Sequence, residues 1–89
     1  MAASTEELRV IVSSGQSAFE NMAIDEAVLN LHNEIGMDTL RLYTWEPSAV
    51  SIGYFQCLER EVDLGVCRAR GIDVVRRITG GGAVYHDSK

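Results

Sequence analysis

The chain contains no apolar run approaching the roughly 18 residues that a bilayer-crossing helix requires. Its first residues carry neither a basic cluster nor a continuous apolar stretch, so they do not read as a secretory signal. Residues 1–7, small and polar, are instead expected to form a loose end. Cysteine is scarce: Cys57 and Cys67 stand ten positions apart, with no Cys-x-x-Cys spacing, and with His32 and His86 they fit no zinc pattern. Reduced thiols, at least partly buried, and a cytoplasmic location are the expectation. Positive charge is also short, with 8 basic residues against 13 acidic ones and a net charge of −5. That balance excludes nonspecific binding to nucleic acid or to an anionic membrane surface. Lys89 is the only lysine. No internal repeat or low-complexity tract is present.

What is there suits one small domain. An apolar content of 46% argues for a packed core over disorder. A chain of 89 residues buries only roughly 60–65% of its unfolded surface, which makes its stability marginal. The charges are uneven: residues 60–77 hold five of the eight basic side chains, beside the glycine-rich end of the chain. A local anionic ligand fits that distribution better than a polyanionic partner.

Local patterns set out the elements. Leu8 to Val12 is β-branched and predicts a strand, broken by Ser13-Ser14-Gly15-Gln16. Ser17 with Glu20 three residues on is a capping-box signature, opening a helix that runs to about Asn33 and ends by Gly36. Within it, Asn21 and Asp25 lie one turn apart and are expected to form a solvated polar face. Thr39 to Trp45 alternates as a second strand, with Tyr43 and Trp45 expected as edge packing. Ala49 to Ile52 follows as a third strand after the Glu46-Pro47-Ser48 turn, and Gly53-Tyr54-Phe55-Gln56 interrupts it. Glu61 to Arg70 is helix-compatible, with Gly71 as the residue past its end. Ile72 to Arg77 is the fourth strand. The order β-α-β-β-α-β-β predicts an α+β domain with a mostly antiparallel sheet.

The chemistry concentrates in Arg76-Arg77-Ile78-Thr79-Gly80-Gly81-Gly82-Ala83-Val84-Tyr85-His86-Asp87. Three consecutive glycines contribute nothing to a core, but they free the backbone to turn N–H groups toward an anion. With strands predicted on both sides, the stretch reads as an anion-holding hairpin. It lacks the Gly-Lys-Ser/Thr ending of a Walker loop and the spaced glycines of a dinucleotide fingerprint. Because strand side chains alternate, Arg76 and Arg77 point to opposite faces. At most one should reach a ligand, and the other should pair with a carboxylate such as Asp73 or Asp87.

The pattern Arg-Arg-x-Thr-Gly-Gly-Gly-Ala-Val-aromatic-His-Asp resembles the signature loop of the lipoate–protein ligase A family, within the lipoate/octanoate transferase superfamily. Asn21-Met22-Ala23-x-Asp25-Glu26 and Gly53-x-x-Gln56 also recur there, the first as a pocket wall. The resemblance covers nearly all of the chain and implies the N-terminal part of a biotin/lipoate protein ligase-like catalytic domain, spanning 1–89 with the C-terminal part absent. The activity it implies is ATP-dependent conversion of lipoate to lipoyl-AMP, with transfer to a lysine of a lipoyl acceptor domain. Acceptors of that kind sit on 2-oxoacid dehydrogenase complexes and on the glycine cleavage H protein.

By the same match, Arg77 is the guanidinium for the phosphate. Gly82, Ala83, Val84 and Tyr85 supply backbone contacts to the nucleotide, Thr79, Gly80 and Gly81 shape the turn, and His86 borders the acyl pocket. Tyr54 and Phe55 belong either to that pocket or to the core. Mg²⁺ is expected to arrive with ATP, while Asp87 fixes the loop. The family's catalytic lysine falls beyond Lys89, and neither cysteine matches the nucleophile of octanoyltransferases. The chain alone is therefore expected to be inactive, as one portion of a longer or split enzyme that works with a complementary part or accessory subunit. Two alternatives stand beside this reading: an octanoyltransferase fed by an octanoyl carrier protein without ATP, and a non-catalytic accessory module. Gly82 favours the ligase, because the octanoyltransferase branch often carries arginine or glutamine there.

Overall fold

A computed structural model describes residues 7–88; the expectations placed on residues 1–6 and on Lys89 lie outside the described residues. The elements are β1 (Leu8–Ser13), α1 (Ala18–Ile35), β2 (Asp38–Tyr43), β3 (Ala49–Ile52), α2 (Leu58–Glu61), α3 (Leu64–Ala69), β4 (Asp73–Arg76) and β5 (Val84–His86). Their order follows the sequence pattern, except that the single helix expected over 61–70 is two short ones. Val62 is extended between them, and Asp63 starts α3 afresh by accepting the Val66 N–H at 3.1 Å.

The domain is α+β, as expected, but its pairing is mixed. β1 and β2 pair in parallel, β3 and β4 pair in parallel, and only β3 with β5 is antiparallel. The reason lies in the connections. A strand followed by a helix returns to its starting end, so the next strand beside it runs the same way. Helix α1 makes that return between β1 and β2, and α2 with α3 makes it between β3 and β4.

The glycine-rich stretch is not a hairpin turn, because β4 and β5 lie on opposite sides of β3. The loop of residues 77–83 instead crosses the end of β3. Gly53 makes the crossing possible: a Cβ there would lie 2.1 Å from the Gly81 carbonyl oxygen.

Helix α1 begins with the predicted capping box. Glu20 N–H donates to Ser17 Oγ at 3.2 Å, and Ser17 N–H donates to Glu20 Oε1 at 2.9 Å. It ends at Gly36, whose φ of +71° lets its N–H reach the His32 carbonyl. The helix docks on the β1–β2 pair through a polar seam. Asn21 is fully buried, donates to the Thr44 carbonyl at 2.9 Å, and accepts from Arg41 Nη2 at 2.7 Å. Arg41 also bonds Asp25, and its guanidinium lies 3.8 Å from the Tyr43 ring centre. The expected solvated face of α1 is thus an internal one, because Arg41 points up from β2 beneath it.

Ala18, Trp45, Ala49 and Val75 form the core, with Met22 and Tyr43 packed against them. Trp45 therefore joins the two sheets instead of packing at an edge. Of the two thiols, Cys67 is buried as expected and Cys57 is exposed. Among the described residues no helix is long and apolar enough to cross a membrane.

Candidate functional site

Between α1, β2 and the glycine-rich loop lies a cleft of about 530 Å³, within the roughly 300–1,000 Å³ of small-molecule sites. Helix α1 contributes Met22, Val28 and Leu29, and Trp45 and Ile78 add further apolar wall. Polar groups come from Asp25, Tyr43, Arg77, Thr79 and His86, and from His32, Asp38 and Thr39 at the far end of α1 and the start of β2. Both the Asn-Met-Ala-x-Asp stretch and the signature loop thus contribute to one cavity.

The loop is organised around Arg77. Its Nη2 donates to the carbonyls of Gly80 and Gly82 at 2.9 and 2.7 Å, and its Nη1 donates to the carbonyl and hydroxyl oxygens of Ser51 at 3.0 and 2.7 Å. Glycine carbonyls, not amides, therefore converge inside the loop, on a cation that the chain itself supplies. In a planar trans peptide the next N–H points the opposite way, so the amides of Gly81 and Ala83 face outward from Arg77. Gly81, with φ of +98°, allows the turn between the two carbonyls.

Arg76 faces the other way, as strand alternation requires. Its Nη1 donates to the carbonyls of Gly53, Tyr54 and Gln56 at 3.3, 3.0 and 2.8 Å, so it anchors a backbone bend where a carboxylate partner was expected. That bend turns Tyr54 and Phe55 outward, the latter 89% exposed, and neither enters the core or the cleft. Gln56 closes the bend by accepting the Gly53 N–H at 2.8 Å.

Thr79 lines the cleft, and its carbonyl accepts the Tyr54 N–H at 2.8 Å. Ala83, Val84 and Tyr85 are exposed and do not line it. His86, on β5, stacks on Trp45 with ring centres 3.8 Å apart and planes 16° from parallel. Its Nε2 lies 2.8 Å from Ser51 Oγ. Burial, and then the neighbouring Arg77 charge, holds its imidazole below the ordinary value of 6.5. Tyr43, whose hydroxyl donates to Asp25 Oδ2 at 3.0 Å, is shifted upward by burial and by Asp25, with Arg41 opposing.

The structure thus gathers Arg77, Thr79 and His86 at the cleft, with Gly80 and Gly82 as the frame that holds Arg77. Ser51 and Trp45, which hold Arg77 and His86 in place, were not assigned to the site from the sequence. Ser51 is a hydroxyl in an otherwise apolar strand run, which is the signal that would have marked it. Trp45 gave no such signal, because its place between the two sheets depends on the fold. Asp25 was expected in the pocket wall by the resemblance alone, and its bonds to Arg41 and Tyr43 depend on β2 lying beneath α1. Among the described residues no three His, Cys, Asp or Glu side chains are placed to hold a metal ion.

Residues 17–89 match the lipoyl protein ligase A/B catalytic domain. Over 82 residues the chain is 52% identical to the octanoyltransferase LipM of Clostridioides difficile (strain 630), covering 91% of this chain but 30% of that protein. Its fold is similar to that of a lipoate-protein ligase A bound with ATP, with a TM-score of 0.72 and 40% identity over 91% of this chain and 32% of that one. It is also similar to a bi-partite lipoate protein ligase of Thermoplasma acidophilum, described with its E2 lipoyl domain, with a TM-score of 0.70 and 37% identity over 91% of this chain and 32% of that one. The chain therefore spans about a third of the length of the relatives it matches.

Proposed function

The chain belongs to the lipoyl protein ligase A/B catalytic-domain family, and from that premise we propose that it holds the acyl chain for a protein acyltransferase. The group transferred is octanoyl, taken from an octanoyl carrier without ATP and passed to a lysine of a lipoyl acceptor domain. The observation that carries this is the cleft. Met22, Val28, Leu29, Trp45 and Ile78 offer an alkyl chain an apolar wall, while His86 offers its carbonyl end a polar partner and Arg77 a fixed positive charge. Burying apolar carbon contributes about 0.8 kcal/mol per methylene, so the walls account for chain affinity and the polar groups for orientation.

The choice of octanoyl transfer over ligation rests on identity. The LipM relative is 52% identical, against 40% for the ATP-bound ligase, over closely similar shares of this chain. The second reading, ATP-dependent lipoylation, is favoured by the third glycine, Gly82, and by the outward-facing amides of Gly81 and Ala83. Those amides would meet the nucleotide phosphate, with Arg77 as the fixed positive charge behind the loop. Any Mg²⁺ would then come with the phosphates and keep several waters. On either reading the acyl-transfer group lies in a complementary part of the enzyme. The bi-partite relative shows that enzymes of this kind can be divided between two parts.

The two separate in one experiment. The chain is mixed with an acceptor lipoyl domain, with and without the complementary two thirds of a relative, and the acceptor's mass is followed. The octanoyl mass should appear from an octanoyl-loaded carrier protein without ATP, and only when the complementary part is present. Modification requiring lipoate and ATP would replace the first reading by the second. Modification in neither mixture would leave a non-catalytic module.

A further inference from the structure

The Ser51 hydroxyl lies fully buried between two polar groups of the cleft, Arg77 and His86. Its oxygen accepts from Arg77 Nη1 at 2.7 Å and stands 2.8 Å from His86 Nε2. Guanidinium only donates, so the serine's own proton is not used on that side. Suppose His86 Nε2 also donated: the serine oxygen would receive two protons and its own would need a further buried acceptor. Its contacts among the described residues supply none, and a buried hydroxyl left unpaired loses its hydration without replacement. The arrangement that satisfies every group runs in one direction, from Arg77 Nη1–H to Ser51 Oγ, and from Ser51 Oγ–H to an unprotonated Nε2. A neutral imidazole accepting at Nε2 carries its hydrogen on Nδ1. Stacking on Trp45 fixes the ring plane, and the 2.8 Å contact sets Nε2, not Nδ1, at the serine.

We infer that Ser51 is a positioning residue that locks His86 into the Nδ1–H tautomer, so that His86 presents the cleft with a hydrogen-bond donor fitted to an acyl carbonyl or carboxylate oxygen. The burial of the ring and the Arg77 charge beside it act in the same direction, by keeping a second proton off. The identity of the oxygen that receives the donor rests on the acyl-transfer reading. The tautomer does not.

The test is a multiple-bond nitrogen–proton correlation spectrum of the ¹⁵N-labelled chain at neutral pH with no ligand added. In the wild type, His86 Nε2 should resonate as an unprotonated nitrogen and Nδ1 as a protonated one. In Ser51→Ala, both nitrogens should move toward the averaged positions of an exchanging imidazole. A protonated Nε2 in the wild type, whether as the other tautomer or as imidazolium, overturns the inference without any variant having to fold. A folded Ser51→Ala whose His86 signals do not move overturns it as well. Titration with octanoate should then shift the Nδ1 signal in the wild type, and acetate at the same concentration should not. Octanoate that binds without moving Nδ1 overturns the donor role, whereas failure to bind with the tautomer intact counts against the acyl reading alone.

Discussion

At position 53 a single hydrogen in place of a methyl decides whether the signature loop can cross the sheet. The chain must pass from β4, on one side of β3, to β5 on the other, and it does so over the backbone at Gly53. A Cβ there would overlap the Gly81 carbonyl oxygen at 2.1 Å, and neither group is the movable end of a side chain. Gly53→Ala should therefore displace the loop and, with it, the carbonyls of Gly80 and Gly82 that hold Arg77. We expect a loss of about 3 kcal/mol, at the upper end of overpacking costs. Gly80 is the control. A Cβ added there meets nothing within 4 Å, so Gly80→Ala should stay within about 0.5 kcal/mol of wild type. Urea unfolding of the two variants makes the comparison. Equal losses would mean that the loop yields easily and that Gly53 is not what admits it.

At the scale of elements, α1 shows which parts of the fold were legible and which were not. Its capping box joins Ser17 and Glu20 three residues apart and needs no tertiary partner, so the sequence alone announced it. Ser17→Ala should cost about 1 kcal/mol, seen as a lower urea midpoint with little change in the cleft. Near-zero loss would show that docking, not the cap, fixes the start of the helix. Strand alternation was equally local and placed Arg76 and Arg77 on opposite faces, while the Glu46-Pro47-Ser48 turn and Gly53 set the bounds of β3. Pairing was another matter. Nothing in residues 77–83 reveals that β3 lies between the strands they join, so a glycine turn between two strands reads as a hairpin. Asn21 fails for the same reason. An amide in mid-helix looks solvated until Arg41 and the Thr44 carbonyl are seen beneath it. Motif residues gave the loop and its arginine, but the direction in which the glycine carbonyls point required the fold.

The whole molecule is longer than a closed domain of its size. Its radius of gyration is 15.2 Å and its extents are 50 × 27 × 15 Å, whereas a compact chain of this length would have a radius of roughly 12 Å. The shape comes from two sheets joined through a small core, with Ala18 and Trp45 on one side and Ala49 and Val75 on the other. One face of the β1–β2 pair carries α1; the other leaves Val10, Val12, Leu40 and Leu42 largely exposed. Few buried side chains hold the halves together, and the cleft takes its walls from both: Met22, Val28 and Tyr43 from one, Arg77, Ile78 and His86 from the other. An occupant of the cleft is then an additional tie across the molecule. Anything that binds only the folded state stabilises it by mass action, about 2.7 kcal/mol at a hundred times the dissociation constant. For a chain this short that corresponds to a rise in melting temperature on the order of 10 °C. Octanoate should produce that rise, and acetate, with the same carboxylate but almost none of the alkyl chain, should not. Equal responses to the two would locate the effect at Arg77 and His86 and deny the apolar walls any part in holding the chain. No response to octanoate would count against an acyl chain as the occupant of this cleft.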